Sequence, residues 1–181
     1  MGPVFLLVGA PAVGKSTAAH ALAARYPRSL HIPVDNLRDM VVNGMVYPGA
    51  DWPPELIEQL ALARRAAVQM ALTYGAAGFA VTIDDFWDPF SRLSEYTPLL
   101  EQADVHRVLL YPTVGVAQAR NLQRSGLGDA AAYIAEGIRL VYDSLEPEVN
   151  PLRAAGWHVV DTTDLDVEAT VTCILERNSH P

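Results

Sequence analysis

Cysteine and lysine are nearly absent from this chain, whose 181 residues include one cysteine, Cys173, and one lysine, Lys15. A single cysteine excludes an internal disulfide and fits a reducing compartment, so we expect a cytoplasmic protein. Basic residues are also scarce, with 13 against 21 acidic residues and a net charge of -8. Proteins that hold nucleic acid through its phosphates need many lysines and arginines, so we expect no nucleic-acid partner.

Long apolar runs are missing as well. The longest uncharged stretch, residues 66–83, contains Gln69, Thr73 and a Gly-Ala-Ala-Gly break, which favour a helix, a turn and a strand over a membrane span. No basic residue precedes the apolar stretch at residues 4–8, where a signal peptide would carry one. We therefore expect no membrane partner. The chain length and the 50% hydrophobic composition indicate a single globular domain over residues 1–181.

The lone lysine lies in a complete G-x-x-x-x-G-K-[ST] motif at residues 9–16, which we refer to as the phosphate loop. The composition of the chain would produce this pattern by chance only about four times in ten thousand. In such a loop the backbone N–H groups point at phosphate oxygens, the lysine reaches the terminal phosphates, and the serine hydroxyl binds Mg²⁺. Lys15 is thus also a catalytic candidate and Ser16 a metal ligand. The predicted nucleotide contacts are Gly9, Ala12, Val13, Gly14, Lys15, Ser16 and, in a supporting role, Thr17.

Strand and helix patterns alternate along the chain. A buried-strand pattern at residues 4–8 precedes the phosphate loop and a helix pattern at residues 16–26 follows it, which is the context that the motif requires. Further strand patterns occupy residues 30–34, 78–83, 105–111 and 156–160. Further helix patterns occupy residues 36–42, 53–74 and 130–145, a segment from residue 114, and residues 167–177. This order predicts an α/β fold of three layers, with a mainly parallel five-stranded sheet between helices.

Asp35 and Arg38 follow the second predicted strand, at the sheet edge where ligands bind in open parallel sheets. A carboxylate at Asp35 would face the terminal phosphate and accept the proton of a substrate hydroxyl. The alternative is that Asp35 only caps a helix beginning at Asn36. Arg38 would hold an anionic or hydroxylated substrate, or would lie in solvent as an ordinary helix arginine.

Asp84 and Asp85 end the third predicted strand, where an acid orients Mg²⁺ directly or through water in phosphoryl-transfer enzymes. The pattern leaves open which of the two does so. Our assignment takes Asp84 as the metal residue and Asp85 as a substrate contact. The aromatic stretch at residues 86–90 would line an acceptor pocket or, equally, plug the edge of the sheet.

Arg120 and Arg124 are four residues apart and share one face of a predicted helix, next to a glycine-containing break. A mobile lid around residues 120–130 that brings both cations to the phosphates would stabilise the transferring phosphoryl group and exclude water. Two ordinary surface arginines are the alternative. Thr162, after the fifth predicted strand, would border the nucleotide base or serve only in a turn.

Other catalytic and nucleotide motifs are not apparent. The five histidines have neither the spacing of zinc ligands nor the pattern of a hydrolase triad. A guanine-recognition motif of the form [NT]-K-x-D is excluded because the lone lysine belongs to the phosphate loop. These exclusions favour ATP as the nucleotide, with Mg²⁺ as its metal.

The phosphate loop, together with residues 31–38, 82–85, 120–124 and 161–163, resembles the small P-loop kinases and their P-loop NTPase fold. The likeness is to chloramphenicol phosphotransferases and zeta-toxin-like kinases, and more distantly to shikimate and gluconate kinases. It implies ATP-dependent phosphorylation of a hydroxyl on a small molecule such as an antibiotic, a sugar or a related metabolite. In this resemblance Asp35 matches the family base, and Arg120 and Arg124 match its lid cations.

Two other functions stay open from the sequence. A nucleotide-dependent binding module or switch with slow ATP hydrolysis would carry the same phosphate loop. A toxin-like kinase controlled by a protein partner would share the chemistry as well. No signature in the sequence names the acceptor or the oligomeric state.

Overall fold

The computed structural model describes residues 1–48, 52–88, 90–91, 93–102 and 105–176. The strands in this part of the chain are β1 (Val4–Gly9), β2 (Ser29–Pro33), β3 (Ala80–Phe86), β4 (Val105–Leu110) and β5 (His158–Val160). The α-helices are α1 (Lys15–Ala23), α2 (Val34–Asp39), α3 (Pro54–Ala76), α4 (Thr97–Leu100), α5 (Val114–Ser125), α6 (Asp129–Leu145), α7 (Val149–Ala154) and α8 (Val167–Glu176). Single 3-10 turns at Ser94–Tyr96 and Glu146–Glu148 lead into α4 and α7.

The five strands form one parallel sheet in the order β2-β3-β1-β4-β5. β1 lies at its centre, and all six residues of this apolar strand are buried, as expected of a strand covered on both faces. Parallel pairing brings the carboxyl ends of the strands, and the segments that follow them, to one edge of the sheet. The predicted α/β fold with a mainly parallel five-stranded sheet is confirmed.

Helices cover both faces of the sheet. Successive side chains of a strand point to opposite faces, and the neighbouring residues Asp84 and Asp85 of β3 contact Ser16 of α1 and Arg64 of α3, respectively. Helices α1 and α3 therefore lie on opposite faces, and α8 packs beside α1. Among the described helices, none has the length and apolar character that crossing a membrane requires.

Helix α3 follows from a clear sequence pattern. Pro54 occupies its first position, where the missing N–H of proline costs no hydrogen bond. Its buried side chains recur at helical spacing and include Leu56, Leu60, Ala63, Ala67 and Ala71. The predicted helix after residue 53 is confirmed.

Several predicted boundaries are wrong. β3 does not end before Asp84 but continues to Phe86, because both aspartates have polar partners and their burial does not interrupt pairing with β1. β5 begins at His158, since Gly156 has a φ of +88° and belongs to the turn after α7. Helix α2 begins at Val34, before the predicted start. The last predicted helix extends to Arg177, which lies outside the described residues.

Candidate active site

The phosphate loop connects β1 to α1. Gly14 directly precedes α1 with a φ of +95°, a left-handed conformation that glycine adopts at little cost. Ala12 has a φ of +62°, which is uncommon for a residue with a side chain and typical of strained binding loops. A Cβ atom on Gly9 would lie 2.6 Å from the carbonyl oxygen of Leu110, so the loop can begin this close to β4 only with glycine.

Lys15 is the first residue of α1, and its side chain folds back over the loop. Its Nζ donates a hydrogen bond of 2.8 Å to the carbonyl oxygen of Ala10. Burial lowers the pKa of Lys15 below its ordinary value of 10.5, although the carboxylates of Asp35 and Asp84 act in the opposite direction. The ammonium therefore lies between the phosphate loop and acidic side chains from two other strand ends.

Ser16 and Asp84 meet beside the loop, 68 residues apart in the chain. The Ser16 hydroxyl donates to Asp84 Oδ1 over 2.6 Å, and His31 Nε2 lies 2.6 Å from Asp84 Oδ2. Both oxygens of the carboxylate are thus held by a neighbour. A hydroxyl beside a carboxylate is the hard oxygen donor set that Mg²⁺ prefers, and Mg²⁺ bound with a nucleotide needs only one or two protein ligands.

A resident metal site of another kind is not formed by the described residues, since no group of three or more His, Cys, Asp or Glu side chains among them is arranged to hold an ion. Ser16 and Asp84 therefore fit a metal ion that arrives with a nucleotide. Ser16 and Asp84 are also the two residues predicted from the sequence to bind Mg²⁺.

The side chain of Asp85 lies away from the phosphate loop, which argues against its predicted role as a substrate contact. It is 3% exposed and accepts hydrogen bonds from Arg64 Nε at 2.7 Å and from the Tyr96 hydroxyl at 3.1 Å. Its side chain does not line either of the cavities described below. Because its neighbours already occupy its oxygens, Asp85 joins a buried ionic cluster within the protein.

A cavity of about 540 Å³ opens beside Lys15 and Asp35, with one wall formed by α6. We call it the α6 cavity. Asp35 lies inside the first turn of α2, with its side chain 72% exposed, so it is not the residue that precedes and caps this helix. Arg38 also lines the cavity, but it is only 6% exposed, which contradicts the alternative of a solvated helix arginine. Its Nη1 lies 3.6 Å from Asp35 Oδ1 and its Nη2 donates to the Val46 carbonyl oxygen.

A second cavity of about 400 Å³ lies on the other side of the phosphate loop, against the start of α8. We call it the α8 cavity. Its lining includes the loop residues Ala12, Val13 and Gly14, together with Thr17, Arg120 and Thr162. The Thr162 hydroxyl oxygen is buried there and has no hydrogen-bond partner among the described residues.

The two predicted lid arginines have different positions. The guanidinium of Arg120 is held by two backbone carbonyls, donating to Val13 at 3.1 Å and to Thr162 at 2.9 Å. These bonds fix it in the wall of the α8 cavity. Arg124 has an exposed side chain and lines both the α8 cavity and the α6 cavity. The structure therefore brings Arg124, but not Arg120, to the junction of the two cavities.

The aromatic stretch at residues 86–90, which begins at the last residue of β3, is predicted either to line an acceptor pocket or to plug the edge of the sheet. Its residues differ in their positions. Phe86 lines the α6 cavity, where its ring lies 6.2 Å from that of Trp52. Trp87 is 3% exposed, and its indole N–H donates to Ser144 in α6, so it packs in the core. Phe90 contacts Trp52 at a ring distance of 4.7 Å. Pro89 lies outside the described residues.

Comparison with known proteins identifies a family for this chain. A family model described as an AAA domain matches residues 4–136, which contain the phosphate loop, Asp35, Asp84 and both arginines of α5. The chain belongs to this AAA domain family. A sequence comparison of this chain with curated proteins found no match.

Solved structures similar to the AAA domain protein include small-molecule kinases. The tunicamycin resistance protein of Deinococcus radiodurans is 19% identical, with a TM-score of 0.63 over 99% of this chain and 98% of that one. Shikimate kinase from Acinetobacter baumannii is 15% identical, with a TM-score of 0.65 over 100% and 97%. A gluconokinase from Sinorhizobium meliloti 1021 is 18% identical, with a TM-score of 0.56 over 99% and 98%. The predicted resemblance to small P-loop kinases is confirmed at the level of the fold.

A segment before α3, in which the sequence shows no acceptor signature, borders the α6 cavity. Residues 44–48, which we call the strap, place Met45, Tyr47 and Pro48 on the cavity wall. Gln59 of α3 makes two hydrogen bonds to the strap. It accepts one from the Val46 N–H at 3.0 Å and donates one to the Gly44 carbonyl at 2.7 Å. The Tyr133 hydroxyl of α6 donates to the Pro48 carbonyl on the opposite side. A glutamine in an amphipathic helix carries no sequence signal for such a role.

Proposed function

We propose that this AAA domain protein is a phosphotransferase that uses Mg²⁺ and ATP to phosphorylate a hydroxyl group of a small molecule. The observation that carries the proposal is the arrangement of two cavities on either side of the phosphate loop, with Arg124 in the wall of both. One cavity suits a nucleoside and the other suits an acceptor. Lys15 and Asp35 line the α6 cavity next to the loop, where the transferred group would pass.

The α8 cavity is the proposed nucleoside site. The backbone N–H groups of the phosphate loop and the positive end of α1 favour the phosphates at one end of it. The flat guanidinium of Arg120, fixed by its two carbonyl partners, and the unpartnered hydroxyl of Thr162 are available to the base at the other end. We therefore assign Arg120 to nucleotide binding and not to the transferring phosphoryl group.

Ser16 and Asp84 are the proposed residues for Mg²⁺. When bound with ATP, the ion would neutralise charge on the phosphates and lower the barrier to their transfer. His31 holds the second oxygen of Asp84 and so keeps the first one directed at Ser16. Lys15, whose Nζ is held by the Ala10 carbonyl oxygen, would supply a second positive group beside the phosphates, independent of the metal.

Asp35 is the proposed base. Its exposed carboxylate in the α6 cavity can accept the proton of an acceptor hydroxyl, while Arg38 Nη1, 3.6 Å from Asp35 Oδ1, helps to orient it. Arg124, between the cavities, would stabilise the charge that spreads over the transferring phosphoryl group. The turn at residues 126–128, where Gly126 has a φ of +67°, allows α5 and α6 to form the proposed lid over these groups.

The alternative of a nucleotide-dependent switch is less well supported. A switch needs the phosphate loop but does not need the α6 cavity of about 540 Å³ beside Asp35. A phosphotransferase requires such a cavity for its acceptor.

Calorimetry tests the nucleotide half of the proposal. The protein should bind ATP with Mg²⁺, and Lys15→Ala should weaken that binding by about 1.5–3 kcal/mol, the contribution of a hydrogen bond to a charged group. Both proteins should have the same circular dichroism spectrum. Absence of binding by the unmodified protein would end the assignment.

Mass spectrometry tests the acceptor half, by screening hydroxylated metabolites and antibiotics for the gain of one phosphoryl group. With an acceptor in hand, Asp35→Asn should lower kcat by about 10²–10⁴-fold without changing the affinity for ATP. Asp143→Asn, an exposed aspartate of α6 away from both cavities, is the matched control. An Asp35→Asn enzyme with full activity would remove the base from the scheme.

A further inference from the structure

We infer that the acceptor is an alcohol with an apolar body and no acidic group, an inference that rests on the proposed function and specifies its second substrate. The observations behind it are the composition of the α6 cavity wall and the charge that remains there once the phosphates are bound. Both concern the residues that the structure describes.

The wall away from the phosphate loop is largely apolar. Trp52 and Phe86 form an aromatic side, and α6 contributes aliphatic side chains on the facing side. The apolar lining on these two sides and the strap consists of Met45, Trp52, Phe86, Ile134, Leu140 and Val141. A cavity of about 540 Å³ falls within the range of clefts that enclose a small organic ligand, and such walls gain free energy by excluding water from apolar surface.

The cations of this cavity are already engaged. Lys15 and Arg124 lie at the loop end, where the proposed function assigns them to the phosphates. Arg38 is buried, with Nη1 3.6 Å from Asp35 Oδ1 and Nη2 bonded to the Val46 carbonyl, and among its nitrogens Nε has no partner in the described residues. Among the described lining residues, no further lysine or arginine is available to pair with an acid on the acceptor.

The carboxylates of the cavity wall outnumber the remaining cation. Asp39 and Glu136 line the cavity in addition to Asp35, so three carboxylates accompany Arg38 once Lys15 and Arg124 bind phosphate. Glu136 is also paired with Arg139, which is outside the cavity lining. An acidic acceptor would meet this excess of negative charge and would lose its hydration without gaining a cation.

A polyol fits the wall poorly for a different reason. Each hydroxyl that leaves water needs a hydrogen-bond partner, and a missing partner costs about 1–3 kcal/mol. The Tyr133 hydroxyl donates to the Pro48 carbonyl, so the partners for further hydroxyls are the three carboxylates and Tyr47, whereas the side formed by Trp52 and Phe86 offers no acceptor side chain. The part of the acceptor that lies against this aromatic side therefore should carry few hydroxyls, and the reacting hydroxyl lies near Asp35.

A matched panel of alcohols tests the inference. We would supply ATP and Mg²⁺ with 3-phenylpropane-1,2-diol and larger neutral aryl alcohols, with 2-hydroxy-3-phenylpropanoate as the acidic counterpart, and with sorbitol as the polyol. Phosphoryl gain is read by mass spectrometry, and binding is read by ligand-observed NMR. The expected result is that the neutral aryl alcohols bind and react, with kcat/KM at least about tenfold above the acid and the polyol.

A charge-introducing variant gives a second readout. Leu140 lines the cavity and is 38% exposed, so Leu140→Arg should fold and should place a cation on the apolar wall. We expect the ratio of kcat/KM for the acid to that for the neutral alcohol to rise by about tenfold or more. Leu62→Arg, at a leucine of α3 that is 53% exposed and outside the cavity lining, should leave that ratio unchanged.

The outcomes separate this inference from the proposed function. If calorimetry detects no ATP binding, the proposed function fails first. If ATP binds but the acid or the polyol is preferred, or no neutral aryl alcohol binds or reacts, the acceptor inference is wrong while a phosphotransferase with another acceptor stands. An unchanged ratio in Leu140→Arg would likewise contradict the role given to the cavity charge.

Discussion

Asp84 and Asp85 are consecutive residues of β3, yet their carboxylates lie on opposite faces of the sheet and have unrelated partners. Asp84 contacts the Ser16 hydroxyl and the His31 ring, whereas Asp85 contacts Arg64 and Tyr96. The alternation of side chains along a strand produces this separation. One carboxylate therefore belongs to the proposed nucleotide site, and its neighbour belongs to the packing of α3 on the sheet.

Replacing each aspartate should have a different effect. Asp84→Asn should lower the affinity for Mg²⁺ in the presence of nucleotide by about 10–100-fold, because it removes a charged oxygen next to Ser16. It should cause little loss of stability. Asp85→Asn should leave Mg²⁺ dependence intact and lower the free energy of unfolding. Calorimetric Mg²⁺ titrations and urea unfolding of both variants make the comparison. The assignment is wrong if the two variants exchange these effects.

Arg64 should contribute strongly to stability. It is fully buried and lies 2.7 Å from carboxylate oxygens of both Asp85 and Asp88, with Glu95 at 3.6 Å. Arg64→Leu would leave these carboxylates in the interior without their cation, which costs about 3–5 kcal/mol for a broken buried pair. Urea unfolding measures the loss. Arg65→Leu, at the exposed next position, should change the free energy of unfolding by less than about 0.5 kcal/mol.

The same cluster should make stability depend on acid pH through Asp88. Burial by itself raises the pKa of Asp88, but the hydrogen bond and charge of Arg64 and two backbone N–H groups outweigh it, so the pKa is lowered below its ordinary value of 3.8. A lowered pKa stabilises the fold above the unfolded value and loses that contribution as the pH falls through the folded one. The stability difference between the unmodified protein and Asp88→Asn should therefore shrink as the pH decreases below about 4. A difference that is constant from pH 7 to the most acidic condition would contradict this role.

Gln59 should affect the acceptor and not the nucleotide. Gln59→Leu removes both hydrogen bonds that join α3 to the strap, each contributing about 0.5–1.5 kcal/mol, and so loosens the wall formed by Met45 and Tyr47. We expect a KM for the acceptor about fivefold to 150-fold higher, converted from the loss of both bonds, with an unchanged KM for ATP. Gln69→Leu, at an exposed glutamine of the same helix, is the control. Equal effects on both KM values would show that Gln59 serves the fold in general.

Arg124 and Arg120 should also differ in kinetics. Arg124→Ala should mainly lower kcat, because this side chain lies at the junction of the two cavities and would act on the transferring group. Arg120→Ala should mainly raise the KM for ATP, since it removes a wall of the α8 cavity and the bonds to Val13 and Thr162. Steady-state kinetics with ATP varied at saturating acceptor distinguish them. Identical changes in both variants would favour the shared lid role that their helical spacing suggested.

Much of the fold and part of the site could be predicted from local patterns. The phosphate loop with Lys15 and Ser16, the buried strand before it and the order of strands and helices all depend on residues close together in the chain. Asp35 could be found because strand ends in a parallel sheet face one edge. The roles of Gln59 and Arg64 could not be found, since each acts on residues beyond its own element.

The sequence by itself determined the nucleotide loop and the parallel α/β architecture, because backbone conformation at glycines and the period of apolar residues are local properties. Tertiary structure decided which aspartate faces Ser16, which arginine lies between the cavities, and how the strap borders the α6 cavity. These depend on contacts such as that between Ser16 and Asp84, 68 residues apart, or between Arg120 and Val13, 107 residues apart. The partner of a polar side chain is set by sheet order and helix packing, which the pattern of a single segment does not contain.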